Sequence, residues 1–120
     1  MTDQDLLQRA VAAADAAYAP YSNFHVGAAM LLRNGEIVDG VNVENASYPL
    51  GVCAERAALS RAARLGVRPG DVEALAVTAS PCGGCRQWLL EFKVERVIFM
   101  HEGEVLTRTP DQLLPDSFEL

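Results

Sequence analysis

The chain lacks any apolar run approaching about 18 residues, the length that crosses a bilayer. Asp, Arg or Glu interrupts each apolar stretch well before that. The first residues, Met1-Thr2-Asp3-Gln4-Asp5, have neither the basic start nor the apolar core of a secretory signal. There is no cluster of lysine or arginine, and the net charge is −6. A nucleic acid polymer is therefore not the expected ligand, because binding it normally needs a basic face. A small molecule, neutral or nearly so, suits this balance better. Linkers, low-complexity tracts and internal repeats are also missing. Cysteine is scarce, at three residues, and reduced thiols fit the cytoplasm, which is the expected location.

What is present reads as one domain over residues 1–120. Half of the residues are apolar, enough for a buried core, and the charged share of 22% is ordinary for a soluble protein. Leu6, Leu7, Ala10, Val11, Ala14 and Tyr18 recur at helical spacing, which predicts a helix over 4–18 ended by Pro20. Residues 26–33 and 36–43 read as two strands around Asn34-Gly35, a hairpin signal. Residues 45–51 form a loop. A helix is predicted over 52–65, with Gly66 placed to close it. A strand over 72–79 follows, then a helix from Ser80-Pro81 to about Phe92, with Ser80 as cap and Pro81 at the first helical position. Strands over 96–100 and 104–107 and a short helix over 110–114 complete the chain. The order α-β-β-α-β-α-β-β predicts a mixed sheet with helices packed on it.

The three cysteines stand in two clusters, Cys53-Ala54-Glu55-Arg56 and Pro81-Cys82-Gly83-Gly84-Cys85. Both fall at predicted helix N-termini, where the dipole and free N–H groups favour a thiolate. Soft thiolates select zinc among common metals. Three protein ligands, Cys53, Cys82 and Cys85, leave a fourth tetrahedral position for water, the pattern of a catalytic site. A doubly charged zinc with three thiolates is net negative, so a nearby cation is needed. Arg56 and Arg86 each follow the clusters directly, and Arg56 is the better candidate. Glu55, two residues beyond Cys53, is placed to move protons to and from the water without ligating the metal.

Blander readings exist for each of these. Cys82 and Cys85 alone could form a redox pair, which leaves Cys53 and Glu55 without a task. A closed structural zinc site would recruit His25 or His101 as a fourth ligand. Otherwise these two histidines are ordinary partly exposed residues. Arg86 could equally be a packing arginine.

Taken in order, several segments are specific together. They are 19–24 (Ala-Pro-Tyr-Ser-Asn-Phe), 26–29 (Val-Gly-Ala-Ala), 40–48 (Gly-Val-Asn-Val-Glu-Asn-Ala-Ser-Tyr), the two cysteine clusters with Arg86-Gln87, and 113–118 (Leu-Leu-Pro-Asp-Ser-Phe). Over nearly its whole length the chain resembles the small homotetrameric, zinc-dependent cytidine deaminases. The resemblance implies a three-layer α/β/α fold on a mixed five-stranded sheet, and one zinc ion per subunit. It implies hydrolysis of cytidine and 2′-deoxycytidine to uridine and 2′-deoxyuridine with release of ammonia, Glu55 carrying the protons. Phe24 would pack against the pyrimidine, and Asn42 and Glu44 would bind the ribose hydroxyls. Tyr48 and Phe118 would reach a neighbouring subunit's pocket in a homotetramer.

The chain departs from that pattern by a shortened segment before Pro81, a trimmed turn at 92–95 and an end two residues after Phe118. These bear on pocket edges and subunit contacts more than on the chemistry. Two alternatives remain at this point. One is a deaminase for another aminated pyrimidine nucleoside such as blasticidin S. The other is a zinc-stabilised binding module without turnover.

Overall fold

The computed structural model describes residues 1–120. Its first helix, α1, spans Asp3–Ala14. Thr2 caps it reciprocally: its hydroxyl accepts from the Asp5 N–H, and the Asp5 carboxylate accepts from the Thr2 N–H. Leu6, Leu7 and Ala10 form the buried stripe. Although the apolar spacing runs on to Tyr18, the helix stops at Ala14. Tyr18 is drawn into an extended pairing instead. Its N–H donates to the Asn42 carbonyl at 3.0 Å, and its carbonyl accepts from the Glu44 N–H at 2.8 Å. Pro20 is therefore not what ends the helix; a pairing with residues far along the chain does.

Strands β1 (Gly27–Leu32) and β2 (Ile37–Val41) form the expected hairpin. Three residues, Arg33 to Gly35, connect them, because Leu32 pairs with Glu36. The Gly35 N–H closes a turn onto the Leu32 carbonyl, and Gly35 takes the left-handed conformation. Helix α2 covers Ala54–Arg64 and is followed at Gly66 by a left-handed residue, as anticipated. Strand β3 (Val72–Val77) leads to helix α3 (Gly83–Glu91). The cap of α3 is Cys82 rather than Ser80. Cys82 has extended backbone, and its sulfur accepts the Cys85 N–H, so it takes the role expected of a hydroxyl. Strands β4 (Arg96–His101) and β5 (Glu104–Arg108) and helix α4 (Pro110–Leu113) close the chain, with α4 capped by Thr109.

The five strands lie in the order β2-β1-β3-β4-β5, with β3 and β4 parallel and all other pairs antiparallel. The expected mixed sheet is thus observed. Alternation along β3 assigns its two faces. Ala74 and Ala76 join Ala29 and Ile98 under Leu6, Leu7 and Ala10 of α1. Leu75 and Val77 join Met30, Val97 and Phe99 under Ala58 and Leu59 of α2 and Leu89 of α3. The result is three layers, with helices on both faces of the sheet.

One close approach fixes where α2 begins. A Cβ on Gly40 of β2 would stand 2.5 Å from the Ala58 nitrogen and 2.7 Å from the Ala54 carbonyl oxygen. Strand and helix therefore meet backbone to backbone, which only glycine allows. The first turn of α2, with Cys53 and Glu55, is held against β2 by that contact. Cys82 arrives from beyond the C-terminal end of β3, one of the two parallel strands, where α/β folds commonly place their sites.

Candidate active site

Cys53 caps α2 and Cys82 caps α3, so two sulfurs stand where backbone N–H groups and the helix dipole stabilise negative charge. Cys85 lies one turn into α3 and is fully buried. The three sulfurs lie within 4.8 Å of one another. The Cys53 and Cys82 sulfurs are 3.8 Å apart. A tetrahedral zinc with bonds of about 2.3 Å places neighbouring sulfurs about 3.8 Å apart, so the trio fits that ion. Neither histidine joins the cluster. His25 turns toward Asn23, and His101 lies beside Glu102. No histidine is placed to close a four-ligand site, and Cys53 stands with Cys82 and Cys85 as one group of three.

The trio is already electrically biased. The Cys53 and Cys85 thiols are shifted in opposite directions. The hydrogen bond with Cys85 lowers the Cys53 thiol, with Arg56 and Cys82 adding to it, while the Cys85 thiol is pushed up by that same contact and by burial. Arg56 donates from Nη2 to the Cys53 sulfur at 3.4 Å. Its Nε is buried without a hydrogen-bond partner. Arg86 differs: its guanidinium donates to the Pro81 and Leu113 carbonyls and the Ser80 hydroxyl, and to no sulfur.

Glu55 is the one buried charged side chain of the protein, at 4% exposure. Burial pushes its carboxyl up to about 7, and the neighbouring Cys53 charge adds to the effect; its own backbone N–H and the Cys85 thiol oppose it. An acid poised near neutrality can both take and return a proton. Glu55 is not part of the sulfur cluster that fits the metal.

The expected sugar-binding residues sit nearby. Val43, between them, exchanges two hydrogen bonds of 2.9 Å with Val52, which directly precedes Cys53. Asn42 and Glu44 are therefore tied by backbone to the start of α2. Their side chains already hold the Tyr21–Val26 segment. Asn42 accepts from the Val26 N–H and donates to the Phe24 carbonyl, both at 2.8 Å. Glu44 accepts from the N–H groups of Tyr21 and Ser22 at 2.9 and 3.1 Å, and from the Ser22 hydroxyl. Each side chain keeps unused hydrogen-bonding capacity, since an amide offers two donors and a carboxylate about four acceptor sites.

Phe24, carried on this segment, is 61% exposed. Tyr48 stands on a short 3-10 turn at 90% exposure, and Phe118 on the tail at 72%. Tyr48 and Glu44 line one pocket of about 380 Å³ with Tyr21, Ser22 and Asn45. Phe118 is not among its lining residues. Ser22 is the residue that sequence reasoning missed. Its signal was local: its hydroxyl accepts the Phe24 N–H two residues on, a common serine turn.

Fold and site together define a class: a three-layer α/β protein with a three-thiolate metal centre, left open beside a buried acid. The description "Cytidine and deoxycytidylate deaminase zinc-binding region" matches residues 1–101. The chain belongs to the cytidine and deoxycytidylate deaminase family. It is 42% identical to a cytidine deaminase of Halalkalibacterium halodurans, over 98% of this chain and 95% of that one. It is 44% identical to a cytidine deaminase of Mycobacterium tuberculosis, over 92% and 85%. Among solved structures, a cytidine deaminase from Burkholderia pseudomallei superposes with a TM-score of 0.91 at 45% identity, covering 98% of this chain and all of that one.

Proposed function

We propose that the protein hydrolyses cytidine and 2′-deoxycytidine to uridine and 2′-deoxyuridine with release of ammonia, using one zinc ion per subunit. The observation that carries this reading is the placement of Glu55, a buried carboxyl beside three convergent cysteine sulfurs. Cys53, Cys82 and Cys85 would hold the zinc, which when bound supplies an electrophile that makes water acidic and nucleophilic. Glu55 takes one proton of the attacking water and delivers it to the pyrimidine ring nitrogen; it then takes the proton of the hydroxyl added to the ring carbon and passes it to the amino group, so that the carbon–nitrogen bond breaks, the carbonyl forms and ammonia leaves. Arg56 offsets the negative charge that three thiolates leave on the site.

Phe24 packs on the pyrimidine. Asn42 and Glu44 use their spare donor and acceptor sites on the ribose hydroxyls. The segment Tyr21–Val26 is held by those same two side chains, so base and sugar are read by one connected unit. Tyr48 and Phe118 are large, exposed aromatics on a loop and a tail. Their exposure suits a homotetramer in which each completes a neighbour's pocket. No helix is long and apolar enough to cross a membrane. A single cytoplasmic domain acting on nucleosides, with no nucleic acid polymer as partner, agrees with the acidic charge.

The test is an ultraviolet assay over cytosine and adenine nucleosides, cytidine nucleotides and blasticidin S. Turnover confined to cytidine and deoxycytidine is expected. Preference for blasticidin S would overturn the substrate assignment. A protein holding one zinc and turning over nothing would overturn the enzymatic one.

A further inference from the structure

The turn that carries two of the three thiolates is weak by composition. Between Cys82 and Cys85 stand Gly83 and Gly84, and a Cβ built at either would meet nothing within 4 Å. Cys85 is buried at one end of this turn, but the two residues between the ligands add no side-chain contact, and glycine has the widest conformational freedom. Cys82, the exposed ligand at the other end of the turn, therefore depends on what holds the segment leading into it.

Arg86 is the group placed to hold that segment. Its peptide N–H donates to the Cys82 carbonyl at 3.0 Å. Its guanidinium uses all three nitrogens. Nε donates to the Pro81 carbonyl at 2.9 Å, Nη1 to the Leu113 carbonyl at 3.0 Å, and Nη2 to the Ser80 hydroxyl at 3.4 Å. Ser80 and Pro81 are the residues leading into Cys82. Leu113 is the last residue of α4, and its side chain is buried in the main core. Arg86 therefore spans from the entry of the ligand turn to a helix end that the core holds still. A planar fork of fixed donors suits such a bridge, and a lysine ammonium reproduces it only in part.

We infer that Arg86 is a positioning residue for the metal site: it fastens the Ser80–Cys85 turn to the end of α4 and so sets where the Cys82 and Cys85 sulfurs stand. The inference rests on the zinc reading above. It gives Arg86 a task different from that of Arg56, which donates to a sulfur directly. It also gives α4 a task, as the fixed end of the brace.

The experiment compares the full-length wild type with Arg86→Gln and Arg86→Lys. Zinc affinity is measured by competition with a chromogenic chelator, thiolate-to-metal absorption is recorded after cobalt substitution, and helix content is followed by circular dichroism. Zinc bound by the wild type, measured first, tests the zinc reading on its own. Arg86→Gln is expected to weaken zinc about 10–100-fold, the usual cost of losing a group that orients a ligand. Its cobalt bands should shift while helix content stays native. Arg86→Lys should recover part of the affinity. Wild-type zinc affinity and cobalt bands in Arg86→Gln would overturn the inference. So would zinc loss that appears only together with loss of native helix content, because Arg86 would then serve general stability alone.

Discussion

Ser22 grips both oxygens of Glu44. Its N–H, with that of Tyr21, donates to one, and its hydroxyl donates to the other. The same hydroxyl accepts the Phe24 N–H at 3.0 Å. Two hydrogen bonds thus connect the carboxylate proposed to bind the sugar with the aromatic proposed to bind the base. Replacing Ser22 by Ala removes both hydrogen bonds made by its hydroxyl, one to Glu44 and one from the Phe24 N–H. KM should rise for cytidine and for a sugar-free cytosine analogue alike, since the loss acts through Phe24. Glu44→Ala should raise KM for cytidine further than for the analogue. Unchanged KM in Ser22→Ala would remove the coupling.

The same bond sets a pH dependence. The Ser22 hydroxyl, then its N–H, holds the Glu44 carboxyl below its ordinary 4.5. A lowered folded value means the anion stabilises the loop above about 4.5, and that contribution disappears as pH falls through the folded value. In an acid titration followed by amide resonances, Tyr21 and Ser22 should move together with a midpoint below 4.5. A midpoint above 4.5 would contradict the grip.

Glu55→Gln keeps the shape of a buried side chain and removes its proton chemistry. Zinc content should stay at one per subunit while kcat falls about 10²–10⁴-fold, the range for positioned acid–base catalysis. Melting should stay native, because the isostere carries no charge to bury. Full turnover in this variant would end the role given to Glu55.

Gly40→Ala should separate stability from metal binding when set against Gly27→Ala. At Gly27 the added carbon would strike the Ala10 carbonyl oxygen of α1 at 2.0 Å; at Gly40 it would strike α2 at 2.5 Å. Both should destabilise by about 1–3 kcal/mol or more, the usual cost of overpacking. Only Gly40→Ala should also weaken zinc, because α2 carries Cys53 and Glu55. Equal zinc affinity in the two variants would show that the seating of α2 does not govern the site.

Much of this was legible before folding, for local reasons. The apolar run 26–33 and the turn residues Asn34-Gly35 specify a hairpin, and the apolar stretch 72–79 reads as a strand, which the structure ends at Val77. Boundaries were less legible. The helix over 4–18 ends at Ala14 because Tyr18 pairs with Asn42 and Glu44, and no periodicity records that. Ser80 reads as the cap of α3 because serine is the common cap; in the structure Cys82 takes that place, its sulfur accepting the Cys85 N–H.

The sequence by itself determined the donor set, three cysteines and a glutamate at helix starts, since residue type and short spacing decide what can ligate and what can shuttle a proton. Tertiary structure alone decided how that set is held. It buried Glu55, and that burial pushes the carboxyl up to about 7. It also turned Asn42 and Glu44 onto the Phe24 segment, and tied Arg86 to Leu113 across 27 positions. Such contacts join residues distant along the chain, and only the packing of α2, α3 and α4 against one sheet brings them within hydrogen-bonding reach.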